Sequence, residues 1–145
     1  MYHFFILLLM KITHLLLKLF KKNGGNILGK IAQKLDKNIL KYFKISCPVI
    51  AVTATNGKTM TNNCIRHIFK TAEKKVISNI EGNNMSTGII STLIKNCHLT
   101  GIIDADFLVF EVDESYVPLL FKQIKLDTLI ILNFFRDQLD RSRRG

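Results

Sequence analysis

Three short stretches carry side chains whose types and spacing do chemistry. The first is A-T-N-G-K-T, residues 54–59, which follows the apolar, β-branched run of residues 48–54 and precedes a helical periodicity. A strand that feeds a glycine turn opening a helix is an anion site, because backbone N–H groups converge in the turn and the helix dipole adds to them. In such a loop Lys58 reaches the terminal phosphates, the Thr59 hydroxyl holds Mg²⁺, and Thr55, Asn56 and Gly57 line the bend. The spacing is shorter than G-x-x-x-x-G-K-[ST], and a G-K-T tripeptide by itself arises by chance; the strand before it and the helix after it supply the context. Ala54 stands where such loops carry their first glycine. If φ were positive there, the methyl group would cost on the order of 1 kcal/mol and weaken binding.

The second stretch is L-V-F-E-V-D-E-S, residues 108–115, with Glu111 at the end of a strand, two strands on from the loop and placed to hold Mg²⁺. Asp113 and Glu114 stand behind it. The plainer alternative is an acidic turn in which Asp113 or Ser115 caps the next helix; that explains one or two acids better than three. The third stretch is I-L-N-F-F-R-D-Q-L-D-R, residues 131–141, which brings Asn133, Arg136, Asp137, Gln138, Asp140 and Arg141 past the fourth strand. Ligands bind at that edge of open α/β sheets; the alternative is a solvated loop.

The elements that must position these groups follow from the apolar pattern. Strands are expected over residues 48–54, 74–80, 106–112 and 128–133, and helices over 57–73, 85–97 and 115–124, with Pro118 tolerated in a first turn. This alternation predicts an α/β fold, a P-loop-type, mostly parallel sheet with helices on both faces. A helical segment precedes it, so the chain divides into residues 1–46 and 47–145. K-K-N-G-G-N-I-L-G-K breaks the first helix with Gly24, Gly25 and Gly29, and residues 30–44 read as a second amphipathic helix with Ile31, Leu35, Ile39 and Leu40 on one side.

Of the 145 residues 48% are hydrophobic, enough for a core, and the net charge of +10 is uneven: residues 1–46 hold nine Lys against one Asp. The basic residues there are Lys spread singly among Leu, Ile and Phe, without an Arg cluster, which argues against nucleic acid as a partner. Cys47, Cys64 and Cys97 form no C-x-x-C pair and no zinc site. They suit a reducing cytoplasm and small core positions, Cys64 most of all because it falls inside the helix after the loop.

The most apolar stretch is residues 1–22. Its unbroken run is only residues 4–10, and a Lys near the centre of a spanning helix costs roughly 2.5 to 3.5 kcal/mol, so a span is the weaker reading. A basic start and a small-residue cleavage site are both missing, which makes it a poor signal peptide. Lys11, His14, Lys18, Lys21 and Lys22 mark a polar face, with Leu15, Leu16, Leu19 and Phe20 opposite. Such a helix either packs on its own domain or lies on a membrane surface with Lys toward anionic headgroups. Lys after the apolar run favours a cytoplasmic setting, peripheral at the inner face of the membrane in the second case.

In series the three stretches resemble the Mur ligase family of ATP-dependent amide-forming ligases. Residues 53–60 match T-G-T-N-G-K-T-T except at Ala54 and Met60, Glu111 matches the metal-binding Glu, and Asn133, Asp137, Asp140 and Arg141 match N-x-x-x-D-H-x-D-R. Gln138 stands where most members have His. S-N-I-E-G-N-N-M, E-V-D-E-S-Y-V-P and N-F-F-R-D-Q-L-D-R look most like the MurT branch, the ligase-like subunits of lipid II isoglutaminyl synthase. The resemblance implies ATP and Mg²⁺ as cofactors, with Lys58 and Glu111 in catalysis and Thr59 and Glu111 on the metal. It implies nucleotide contacts from Thr55, Asn56, Gly57, Lys58, Thr59, Asn84, Asn133, Asp137 and Arg141. It also implies a GatD-type glutaminase partner that supplies ammonia, and amidation of the D-glutamate α-carboxylate of lipid II through an acyl phosphate, giving D-isoglutamine. Beyond Arg141 the family continues through a Cys₄ zinc ribbon and a C-terminal ligand-binding domain that have no counterpart here. Residues 1–145 are therefore expected to be an N-terminal fragment, inactive alone, with a half-sheet exposing one apolar edge. The alternative is a non-catalytic ATP-binding or membrane-surface remnant.

Overall fold

The computed structural model describes residues 2–20, 25–79 and 85–134. Two helices, α1 (Tyr2–Leu19) and α2 (Ile27–Leu35), and a single 3₁₀ turn at Ile39–Tyr42 lead into β1 (Val49–Thr53), α3 (Lys58–Thr71), β2 (Val76–Ser78), α4 (Ser86–Asn96), β3 (Phe107–Glu111), α5 (Val117–Phe121) and β4 (Thr128–Ile131). The four strands form one sheet in the order β2-β3-β1-β4, and every pair is parallel. The α/β architecture expected from the alternating pattern is thus the one observed, with strand and helix ends within three residues of those expected for the sheet and its crossover helices.

The pleat sorts the sheet's side chains between two helical layers, since successive residues of a strand point to opposite faces. Val49 and Ala51 of β1, with Leu108, Phe110 and Val112 on and just past β3, join one apolar cluster with α1, α2, α4 and α5. The alternate residues face α3: Phe107 stacks on Phe69 of α3 with ring centroids 4.0 Å apart, and the Asn62 amide of α3 donates to the Val109 carbonyl at 3.3 Å. Glu111 is in phase with Phe107 and Val109, so the pleat turns it to the face that carries α3. α4 is the most enclosed helix, with Ile89, Ile90, Leu93 and Ile94 nearly inaccessible between the sheet and the two N-terminal helices.

Four details correct the sequence expectations. Residues 30–44 are not one helix: the Asp36 carboxylate accepts the Asn38 N–H at 2.8 Å, and Asp36 itself is extended (φ −146°, ψ 114°), which ends α2 before the 3₁₀ turn. That same N–H, with His3 at 2.8 Å, holds the Asp36 carboxyl below its usual range against the opposing pull of partial burial, and the His3 contact pins α1 to the end of α2. Gly29 is not a helix breaker but a buried residue within α2, where its N–H donates to Ser91 Oγ of α4 at 2.7 Å. In α1 the packed residues are Ile6, Leu7 and Met10, with Leu17 beside them, while Leu15, Leu16, Leu19 and Phe20 face solvent. Lys11, assigned to the polar face, turns back to donate to the Lys95 carbonyl at 3.2 Å. Finally, Cys64 is exposed, Cys47 partly covered, and only Cys97 buried. α3 buries Asn62 alone among its residues, so its apolar stripe of Met60, Cys64 and Ile68 faces outward.

Candidate functional site

The chemistry-bearing residues assemble at the C-terminal end of the sheet because β1 is an interior strand with β3 on one side and β4 on the other. The register sets Val52 beside Glu111 and Thr53 beside Ile131, so the turn after β1 emerges between the ends of both neighbours. Glu111 was expected two strands along the chain; it is one strand away in space, because β3 inserts between β1 and β2.

The turn has the shape expected of an anion cradle. Gly57 adopts φ +87°, ψ −6° as the residue preceding α3, a left-handed conformation that a side chain would strain. It makes no side-chain cap, so the first-turn N–H groups of α3 are left for a ligand. Ala54 is fully buried, and among the described residues the positive-φ positions are Gly57, Gly101 and Glu73 alone. The backbone strain considered for Ala54 is therefore not incurred.

Two asparagine side chains hold backbone. Asn133, beyond β4, donates from Nδ2 to the Asn56 carbonyl at 3.0 Å and accepts the Asn56 N–H on Oδ1 at 3.1 Å, while its own carbonyl accepts the Thr55 N–H at 2.9 Å. Expected among the nucleotide contacts, Asn133 in this structure clasps the loop. Asn79, after β2, does the same for the carboxylate strand: its Nδ2 donates to the Glu111 carbonyl at 2.7 Å and its Oδ1 accepts the Glu111 N–H at 2.8 Å. Sequence reasoning did not single out Asn79; its place directly after a strand was the available signal. A third amide, Asn62, is buried and accepts the Ser78 hydroxyl at 2.8 Å, tying α3 to β2.

Lys58 extends toward Glu114, its Nζ 4.0 Å from Oε2, with only 11% of its side chain exposed. Among the described residues nothing donates a hydrogen bond to the buried Glu114 Oε2, nor to Thr53 Oγ1 at the end of β1. Among the described residues the ammonium thus stands at ion-pair range of Glu114 without a hydrogen bond. Glu114, noted in the sequence only as standing behind Glu111, is the residue this geometry adds to the site. Thr55 is partly covered, while Asn56, Gly57 and Thr59 are exposed, and Glu111 is buried. Asp113 accepts from the backbone N–H and hydroxyl of Ser115 at 3.1 and 2.6 Å, closing the acidic turn. Asn84, Arg136, Asp137, Gln138, Asp140 and Arg141 lie outside the described residues. Among the described residues, no group of three His, Cys, Asp or Glu is arranged to hold a metal. Among the oxygen donors at this end of the sheet are the Thr59 hydroxyl and the Glu111 carboxylate at the end of β3.

Comparison with known proteins gives a consistent set. No protein-family model matches the chain. It is 36% identical over 121 residues, 83% of its length and 27% of the relative's, to the MurT subunit of lipid II isoglutaminyl synthase (glutamine-hydrolyzing) from Staphylococcus aureus strain COL. It is 36% identical over 119 residues, 81% of its length and 26% of the relative's, to the subunit of the same name from Streptococcus pneumoniae strain R6. It is also similar to the UDP-N-acetylmuramoylalanine–D-glutamate ligase of Wolbachia pipientis wMel, at 33% identity over 93 residues, 64% of this chain and 16% of that one. The chain spans about a quarter of the length of the MurT relatives it matches.

Proposed function

For a chain homologous over most of its length to MurT subunits, and over part of it to a Mur ligase, we propose that it is the nucleotide-binding part of an ATP-dependent amidating subunit acting in peptidoglycan synthesis. Its substrate is the D-glutamate α-carboxylate of lipid II, and a glutamine-hydrolysing partner of the GatD type supplies ammonia. The work is done on the cytoplasmic side, where ATP is available. The observation that carries this reading is the left-handed Gly57 turn at the start of α3, with Lys58 beside it and Glu111 on the adjacent strand.

Each residue has a physical task in that reaction. The first-turn N–H groups of α3 and the Lys58 ammonium hold the phosphate chain and spread the charge that moves onto the leaving oxygens. Thr59 and Glu111 offer a hydroxyl and a carboxylate, hard oxygen donors suited to Mg²⁺, which keeps several waters and needs few protein ligands. Thr53 Oγ1 and Glu114 Oε2, which accept no hydrogen bond among the described residues, are further oxygens at the same end of the sheet, the second already at ion-pair range of Lys58. When bound, Mg²⁺ neutralises phosphate charge during transfer. The substrate carboxylate takes the terminal phosphoryl group of ATP, releasing ADP. Ammonia then adds to the acyl carbon, and phosphate leaves with the electron pair of the C–O bond.

The test is calorimetric titration of residues 1–145 with ATP, with and without Mg²⁺. Binding is expected, and Glu111→Ala should erase the Mg²⁺ dependence while leaving metal-free binding in place; absence of binding in both conditions overturns the nucleotide reading. Amidation of lipid II by residues 1–145 with a glutaminase and glutamine is expected to be undetectable, because the chain corresponds to only about a quarter of the MurT relatives. Turnover in that assay overturns the assignment of this stretch to nucleotide binding alone. The second reading, ATP binding with no ligation in any context, is favoured if the partner subunit fails to bind as well.

A further inference from the structure

α1 packs on its domain by one face only. Tyr2, Phe5, Leu9, Ile12, Leu16 and Leu19, spaced three and four apart, form a stripe in solvent along the whole helix, with Phe5 61% and Leu19 71% exposed. A helix of 18 residues is about 27 Å long. α2 packs beside it and continues the surface with Ile27, Ile31 and Leu35, all exposed. The Tyr2 hydroxyl donates to the Leu35 carbonyl at 3.1 Å, which sets the two stripes edge to edge. Lys30, Lys34 and Lys37, on and after α2, are exposed next to Ile27, Ile31 and Leu35. Residues 1–46 hold nine of the chain's Lys against one Asp.

From this we infer that the two-helix surface of α1 and α2 lies on an anionic lipid bilayer, its apolar stripes in the headgroup–acyl boundary and its lysines on the phosphates. The charge pattern selects this occupant. A protein partner would have to match the lysines beside the α2 stripe, and a second copy of this chain would bring its own lysines against them. An anionic bilayer supplies the opposite charge at every lysine and takes up a wide, flat apolar surface without shape complementarity. A helix lying in the plane also keeps the opposite face of α1, with Leu7 and Met10, in the protein core, whereas a spanning helix would have to leave it. The inference rests on α1 and α2 alone and not on the nucleotide loop.

The experiment is co-sedimentation of residues 1–145 with sucrose-loaded vesicles of phosphatidylcholine alone and of phosphatidylcholine with phosphatidylglycerol, at low and high salt. Pelleting is expected with the anionic vesicles and should weaken at high salt. Leu9→Gln/Leu16→Gln changes two residues that are half exposed, so the thermal midpoint should hold while vesicle binding falls at least about tenfold. Lys30→Gln/Lys34→Gln should lower binding to the anionic vesicles by roughly thirtyfold, since each Lys near the surface contributes about 1 kcal/mol. Equal pelleting by the leucine variant, or no pelleting with either vesicle, overturns the inference. So does a dimer in solution that the leucine variant abolishes, and so does protein that resists alkaline carbonate extraction, which marks a span. ATP titration of the same leucine variant should match the unaltered chain, so failure of this inference and failure of the nucleotide reading are separate results.

Discussion

Lys58→Ala is expected to lower the affinity of residues 1–145 for Mg²⁺-ATP by about ten- to a hundredfold, the range for losing a charge-assisted contact of roughly 1.5 to 3 kcal/mol. The side chain is mostly enclosed, and its Nζ sits 4.0 Å from Glu114. Truncation would therefore withdraw the cation from the phosphate chain and strand a partly buried carboxylate whose Oε2 accepts no hydrogen bond among the described residues. Both effects oppose an anionic ligand. Lys58→Arg should recover only part of the loss, because a planar fork does not replace a compact ammonium on a flexible stem. Calorimetry on the three proteins decides the matter, with Lys70→Ala at the far end of α3 as the control for general charge. An unchanged affinity in Lys58→Ala would remove the loop from the site.

Gly29→Ala is expected to destabilise the fold by about 3 kcal/mol, through overpacking of roughly 1 to 3 kcal/mol and strain on a buried hydrogen bond of about 1 kcal/mol. A Cβ built there falls inside the Thr87 carbonyl and within 2.9 Å of Ser91 Oγ. The obstacle is backbone, so relief requires moving α4, the helix with the most enclosed side chains. A thermal midpoint lowered by roughly 10 °C is the expected reading for a chain of this size. Ser91→Ala should cost less, since it removes the hydroxyl that accepts the Gly29 N–H and adds no clash. A Gly29→Ala protein that melts within two degrees or so of the parent would mean that α2 and α4 are not in close contact.

The same residue marks where sequence reading stopped. Strands and helices of the α/β unit were legible because apolar runs and glycine turns are local signals, and Gly57 and Lys58 stand where the motif put them. Gly29 was read as a breaker because close helix–helix approach is a property of two segments 62 residues apart. The lysine spacing in α1 was visible, but a helix apolar around most of its circumference does not declare which face is inward; α4 and α2 decide that. Glu111 was legible as a strand-end carboxylate, and its closeness to the loop awaited the strand order. Asn133 was placed at the right edge of the sheet, but its hold on the loop backbone was not legible, because an amide beside a phosphate loop serves backbone as readily as ligand. Cys64 was expected in the core because it falls inside the helix after the loop, but α3 buries only Asn62. The roles of Asn84, Asp137 and Arg141 stay with the resemblance that named them, outside the described residues.

The Asn133 clasp ties an edge to a centre. Among the described residues β4 and β2 are the two edge strands, and β4, which pairs only with β1, is the more exposed of them and the freer to fray. Each time its end peels away, Thr55 and Asn56 lose the three hydrogen bonds that Asn133 makes with them. Opening of the sheet's margin and loosening of the loop are then one event, and by thermodynamic linkage a ligand that requires the ordered loop must also hold the strand shut. β4 acts in this sense as a latch, and the affinity measured at the loop includes the work of closing it.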